Sequence, residues 1–211
     1  NLIKALIATE DVRFYVYSGI DAKAIVRALV KRQLLGQMNA GGGSTITQQL
    51  AKQLYTKVER SESKRMMQKP IEWFIAVQLE RYYTKEEILT MYLNYFDFLY
   101  TGVGIKNAAR TYFGKTPIEL NLNECATLIG MCKNPSYYNP YRRSEGQFIA
   151  NERCRERRNV VLSQMEKAGF ISNEEKEKIQ QEPLCILPRP KVTTHKEGVA
   201  PYFRDHLRRI M

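Results

Sequence analysis

Apolar residues recur at helical spacing along almost the whole of this 211-residue chain, and paired capping residues mark where several of the helices begin. Leu2, Ile3, Leu6 and Ile7 make a first short helix. Asp21 is placed to cap a second, with Ile25, Val26, Leu29 and Val30 facing inward. Thr45 with Gln48 fits a capping box, in which each side chain satisfies the other's backbone N–H, and the helix behind it buries Ile46, Leu50 and Leu54. Pro70 suits the first turn of an apolar helix through Trp73, Phe74, Ala76 and Leu79. Thr84 with Glu87 opens the stripe Ile88, Met91, Tyr92 and Tyr95. Asn121 with Glu124 and Ser172 with Glu175 open two more helices, with a long basic helix over 145–168 between them. No strand alternation stands out before Pro183, and 183–196, with three prolines, reads as extended linker. The expectation is an all-α domain over 1–182, followed by a linker over 183–211, with no internal repeats.

Composition narrows the class. Hydrophobic residues make up 44% and charged residues 26%, ordinary values that exclude a disordered tail, a collagen-like rod and a small disulfide scaffold. No run approaches the ~20 apolar residues of a membrane helix. No signal peptide is visible at Asn1, so any anchor or export segment is expected to lie outside this chain. Lys plus Arg number 33 against 22 acidic residues, a formal charge of +11, which points to a polyanionic partner: nucleic acid, phospholipid headgroups or a phosphorylated substrate. The cysteines, Cys125, Cys132, Cys154 and Cys185, form no C-x-x-C pair, and His195 and His206 are the two histidines, which argues against zinc. Cys125 and Cys132 share a helix face with Leu128 and Ile129 and read as small buried hydrophobes.

Four stretches can carry chemistry. Glu10 and Asp11 leave an apolar helix for an aromatic, Gly-containing loop ending at Asp21. A carboxylate at such an edge can be desolvated into a base or acid, or can simply face water. Gly41 to Gly43 lead through Ser44, Thr45, Gln48, Gln49 and Lys52 into a helix N-terminus, which is a ready anion site or else a flexible loop with a polar helix face. It lacks the Gly-Lys-Ser/Thr of a Walker loop. Lys69 and Pro70 precede Glu72, placed near a helix start where the dipole favours its charge. Lys23, Arg27 and Lys31 line one helix edge, and Arg153, Arg155, Arg157 and Arg158 crowd another; such runs are solvated faces or phosphate contacts.

Taken together, these stretches resemble the peptidoglycan glycosyltransferase domain, glycosyltransferase family 51, found in class A penicillin-binding proteins and monofunctional transglycosylases. The resemblance runs from about Ala5 to Met165 as five ordered motifs. Glu10-Asp11 with Phe14, Gly19 and Asp21 resembles the first, and Gly43 through Lys52 resembles the second almost letter for letter. Lys69 through Glu72 with Ala76, Leu79 and Glu80 resembles the third. Lys85 through Ile88, Tyr92 to Asn94, Gly104-Ile105, Ala108-Ala109 and Tyr112 to Lys115 resemble the fourth. Ala126, Leu128, Asn134-Pro135, Tyr138 to Pro140, Arg157 and Val161-Leu162 resemble the fifth.

The resemblance implies a lysozyme-like helical domain with a large lobe and a smaller membrane-associating jaw. It implies polymerisation of lipid II into β-1,4 glycan strands, with inversion at the anomeric carbon and release of undecaprenyl pyrophosphate. Glu10 matches the family's base, a role that typically contributes ~10²–10⁴-fold. Glu72 matches its second glutamate, which helps to position the pyrophosphate. Ser44, Thr45, Gln48, Gln49 and Lys52 match the groups that meet charge on the leaving group, and Arg60, Lys69 and Arg157 match basic positions near the phosphates. Asp11 is expected to orient the loop around Glu10. No cofactor is required by the resemblance, which allows Mg2+ or Mn2+ at the pyrophosphate, and no residue is assigned as a metal ligand.

The implied partners are lipid II, the growing lipid-linked glycan, the membrane surface and a transpeptidase domain; nucleic acid is not expected. The implied location is the extracytoplasmic face of the bacterial cytoplasmic membrane, held by an N-terminal helix preceding Asn1. Gly198 to Phe203 resembles the linker to a transpeptidase. The mixed apolar and basic stretch 54–75 has an interfacial composition, with Trp73 and Phe74 within it read as core.

This chain departs from the family pattern at three places. Tyr17 stands where a histidine is usual, Gln68 where an arginine is usual, and Phe98 to Thr101 where glycines are usual. Two other classes stay open from the sequence. A lysozyme-like hydrolase would also use two glutamates, but has no pyrophosphate to hold. A nucleic-acid-binding helical module would use the positive surface, but no helix-turn-helix or RNA-recognition motif stands out.

Overall fold

The computed structural model describes residues 1–21, 23, 26, 44–55, 62–144 and 147–191. Among them the architecture is all-α with one small hairpin. The helices are α1 (Leu2–Glu10), α2 (Ile46–Tyr55), α3 (Glu62–Tyr82), α4 (Lys85–Tyr95), α5 (Ile105–Phe113), α6 (Leu122–Met131), α7 (Glu152–Lys167) and α8 (Asn173–Gln181), with a 3₁₀ turn at Pro117–Glu119. The capping boxes at Thr84/Glu87, Asn121/Glu124 and Ser172/Glu175 are formed with both reciprocal bonds, which is why α4, α6 and α8 start where they do.

The core is built around α1 and α6. Ala5, Leu6, Ile7 and Ala8 are buried, and α1 lies against α6 and α7. Every residue of α6 from Asn123 to Met131 is buried, as befits a helix with neighbours on all sides. A second layer packs α2 against α3 and α4 through Ile46, Leu50, Ala51, Ala76, Leu79, Ile88 and Tyr92. Cys125, Cys132 and Cys154 are buried free thiols within this packing, and Cys185 is free and exposed.

The structure corrects several expectations. The basic helix begins at Glu152, not near 145. Before it, β1 (Tyr141–Ser144) pairs antiparallel with β2 (Gln147–Ala150), with Tyr141 opposite Ala150. Two strands of four residues are too short to show alternation, and what holds the hairpin is aromatic: Tyr141 packs edge-on against Phe148 at 5.5 Å and stacks on Tyr112 at 5.8 Å. Pro70 lies inside α3, not in its first turn, so Glu72 is some ten residues from the helix start and gains nothing from its dipole. Proline cannot donate to the carbonyl four residues back, and α3 carries that gap. Val26 and Tyr95, expected to face inward, are exposed at 60% and 51%. Phe74, read as core, is 65% exposed, and Trp73 is half-buried. Ile25, Leu29, Val30, Arg27 and Lys31 lie outside the described residues.

Arg158 departs from both readings of the basic run. It is fully buried and donates to the backbone carbonyls of Gln180, Glu182 and Pro183 and to the side chains of Asn123 and Asn159. It ties α6 and α7 to the chain leaving α8. Residues 183–191 then run over the body, where Leu187 N–H donates to Tyr112 O and Lys191 N–H to Thr111 O.

Candidate active site

Glu10 is the last residue of α1, where the helix emerges from the core with its carboxylate only 16% exposed. Gln49, one turn into α2, donates its Nε2 to Glu10 Oε2 at 3.0 Å. Arg157 of α7 brings Nη2 to 3.7 Å from Glu10 Oε1, its own side chain 12% exposed. Three elements far apart in sequence therefore meet on one carboxylate. Arg157 reaches it because Gly130 stands beneath: a Cβ there would lie 3.2 Å from Arg157 Cγ.

Asp11 closes the end of α1 and begins the next loop. Its Oδ2 accepts the backbone N–H of Ile46 at 3.0 Å, at the first residue of α2, and also the hydroxyl of Tyr17. Desolvation raises the Asp11 pKa from 3.8 to about 6, against the opposing Ile46 N–H and Lys85 charge. Thr45 and Gln48 form the expected reciprocal box, Gln48 N to Thr45 Oγ1 at 3.1 Å and Thr45 N to Gln48 Oε1 at 3.4 Å. Thr45 Oγ1 also donates to Gly19 O at 2.9 Å. The donors at this helix start, which suit an anion, are thus partly taken by protein acceptors, Asp11 first among them.

The loop 11–21 is strapped from its far side. Lys85, the first residue of α4, donates to Tyr17 O and pairs with Glu80 Oε2, each at 2.7 Å, while its ammonium lies over the rings of Phe14 and Tyr17. Glu80 in turn accepts from Thr47 Oγ1 at 2.6 Å. Gly19 has φ +75° and lies so close to α3 that a Cβ would meet Val77 N at 2.8 Å. Asp21 is buried beside Arg13 at 3.2 Å. Sequence reasoning placed Lys85 in the fourth motif without a site role; the rings it covers, Phe14 and Tyr17, lie 71 and 68 residues back in the chain, so no local signal marked it.

Glu72 is 3% exposed and held by Lys69 at 2.6 Å. Its helix α3 packs against α2. Lys52 is exposed on α2, and Ser44 is half-buried ahead of it. Arg60 lies outside the described residues. Among the described residues no group of three or more His, Cys, Asp or Glu side chains gathers to hold a metal ion, and the buried Glu72 carboxylate is already matched by an ammonium.

A family model described as Transglycosylase matches residues 1–166. Penicillin-binding protein 1A of Escherichia coli (strain K12) is 40% identical over 212 residues, which cover 100% of this chain and 23% of that protein. Penicillin-binding protein 1A/1B of Bacillus subtilis (strain 168) is 42% identical over 197 residues, covering 93% and 19%. Penicillin-binding protein 1A of Aquifex aeolicus (strain VF5) is 39% identical over 186 residues, covering 88% and 24%. The chain spans about a fifth to a quarter of the length of these curated relatives.

Proposed function

Because this chain belongs to the transglycosylase family, we propose that it is a peptidoglycan glycosyltransferase that joins lipid II into β-1,4 glycan strands during bacterial cell-wall synthesis. The observation that carries the reading is the Glu10 carboxylate, held between Gln49 and Arg157 beside the start of α2. The 4-hydroxyl of the incoming lipid II is a weak nucleophile, and Glu10 takes its proton as the new bond to the donor's anomeric carbon forms. The bond from that carbon to the pyrophosphate oxygen breaks from the opposite face, so the α-linkage becomes β. The electron pair leaves with undecaprenyl pyrophosphate.

The departing diphosphate needs positive charge. Lys52, Lys69 and Arg60, the family's matching basic positions, supply it together with the hydrogen-bonding groups of Ser44, Thr45 and Gln48. Glu72 orients Lys69 through their 2.6 Å contact and so acts one step back from the phosphates. Asp11 fixes the turn that carries Glu10 by capping Ile46. Arg157 faces Glu10 across 3.7 Å and places a positive charge beside the reacting carboxyl.

The donor is the growing lipid-linked glycan, so the domain works at the extracytoplasmic face of the cytoplasmic membrane, anchored by a helix preceding Asn1 and followed by a transpeptidase domain. Among the described residues no helix is long and apolar enough to cross a membrane. Met67, Ile71 and Phe74 project from one face of α3 at 77%, 54% and 65% exposure, which supports contact with a lipid surface there.

The test is glycan-chain formation from lipid II in detergent, wild type beside Glu10→Gln. Polymer from wild type alone is expected. Polymer from Glu10→Gln would remove Glu10 as the base, and release of fragments from lipid-free peptidoglycan would replace the reading with a hydrolase.

A further inference from the structure

Gln49 reaches Glu10 with a nitrogen and not an oxygen, and the structure contains the reason. The hydroxyl of Tyr92, on α4, donates to Gln49 Oε1 at 3.1 Å, while Gln49 Nε2 donates to Glu10 Oε2 at 3.0 Å. A side-chain amide is nearly symmetric in shape, so packing alone does not choose which end faces which neighbour. The Glu10 carboxylate does choose, because it accepts and does not donate. Tyr92 is fully buried, and burial, with the nearby Cys132 and Glu10, raises its pKa further above the ordinary tyrosine range, so it remains a donor. Its hydroxyl is the donor that the amide carbonyl then requires, so the amide is held at both ends.

We propose that Tyr92 is a positioning residue for the proton transfer: it locks the Gln49 amide so that its NH2 occupies Glu10 Oε2, which leaves Oε1 as the oxygen that takes the acceptor's proton. The inference rests on the reading of Glu10 as the base. Oε1 lies 3.7 Å from Arg157 Nη2, beyond a direct hydrogen bond, so it has charge nearby and lone pairs to spare. With the phenol gone Gln49 Oε1 loses its donor, and the NH2 is then held on Glu10 Oε2 less firmly. The groups around Glu10 are Gln49 from α2, Tyr92 from α4, Cys132 at the end of α6 and Arg157 from α7. The Cys132 thiol is buried, which pushes its pKa far up and keeps it neutral.

Tyr92→Phe removes one hydroxyl from a buried ring and leaves the ring in place. Its kcat should fall about tenfold with KM within about twofold, as the charge-assisted hydrogen bond that Gln49 makes to the reacting carboxylate is weakened. The acid limb of its kcat/KM profile should move to higher pH, a change that loosened packing alone would not bring. Gln49→Met, at a less buried position, should reproduce both effects and keeps the inference testable if the tyrosine variant folds poorly. A second readout needs no turnover: the side-chain amide resonances of Gln49, assigned by their loss in Gln49→Met, should move in both Tyr92→Phe and Glu10→Gln. Unmoved amide resonances, or an unchanged kcat and pH profile, in folded Tyr92→Phe would overturn the proposal. Wild-type protein that makes no glycan while the amide resonances move as expected would fault the polymerase reading and leave the Tyr92–Gln49–Glu10 geometry standing.

Discussion

Tyr17 donates its hydroxyl to the same Asp11 oxygen that caps Ile46, so a tyrosine found where the family usually has histidine is tied to the start of α2. Burial favours the neutral form of that carboxyl, and the Asp11 pKa rises from 3.8 to about 6. The folded protein therefore binds this proton more tightly than the unfolded chain does. The resulting stability is present in full below pH ~4 and is lost as pH rises to about 6. Asp11→Asn keeps an acceptor for both donors and does not titrate. Relative to that variant, the wild-type Tm should decline between pH 4 and 6 and run parallel above pH 7. Calorimetry across pH 4–8 checks it; parallel curves throughout would contradict the desolvated carboxyl.

Lys85 holds the loop after Glu10 by a single ammonium, shared between Tyr17 O and a Glu80 side chain that is 4% exposed. Lys85→Met leaves that carboxylate buried without its cation, a loss on the order of 3 kcal/mol. Adding Glu80→Gln removes the stranded charge while keeping an acceptor for Thr47, so the double variant should recover part of the stability. Urea unfolding of the two single variants and the double variant measures the coupling. A double variant less stable than Lys85→Met would show that the pair is not what holds this corner.

How much of this was legible in the sequence differs by kind of interaction. Helix starts are local, and the boxes at Thr84, Asn121 and Ser172 were readable because cap and partner lie three residues apart. Helix faces were less so: Val26 and Tyr95 keep the right period but point outward. Residue type and motif order brought Glu10, Gln49 and Arg157 forward, yet their meeting depends on contacts 39 and 147 residues apart in the chain. Tyr92 was counted as an apolar stripe member because its ring behaves as one, and its hydroxyl matters only once Gln49 is beside it. The arginine cluster shows the limit most clearly. Arg155 pairs with Glu152 in solvent, Arg157 faces Glu10, and Arg158 is sealed among carbonyls, although the three are near neighbours of one type.

Gly130 supplies space for Arg157. In Gly130→Ala the new methyl would lie 3.2 Å from Arg157 Cγ and 3.6 Å from Arg157 C, so the side chain must give by a few tenths of an ångström. Alanine also favours the helix by ~1 kcal/mol over glycine, and the fold should lose little or nothing. The guanidinium facing Glu10 moves, however, and small misplacements at a reacting group are costly. The expected result is an unchanged melt with kcat/KM lower by roughly three- to tenfold. Full activity would separate Arg157 from the chemistry.

Leu99 and Tyr100 adopt φ of 69° and 55°, the left-handed backbone that glycine enters freely, in the stretch where the family usually carries glycines. The turn survives this substitution because it is held on several sides. Leu99 N–H donates to Asp97 Oδ1, Gly102 N–H donates to Leu99 O, the Tyr112 hydroxyl donates to Phe98 O, and Tyr100 packs edge-on against Tyr112. Each non-glycine residue held in this region costs roughly 1–2 kcal/mol. Two replacements of Leu99 separate backbone strain from side-chain burial. Leu99→Gly loses the whole half-buried side chain but relieves the strain, and should leave stability within ~1 kcal/mol of wild type. Leu99→Val keeps more apolar surface, yet a β-branched side chain fits this backbone worst and should cost about 1–2 kcal/mol. The order glycine above valine is opposite to what apolar burial alone would give. Urea midpoints for the two variants decide between them, and valine proving the milder change would mean that the surrounding contacts, not the left-handed backbone, govern this turn.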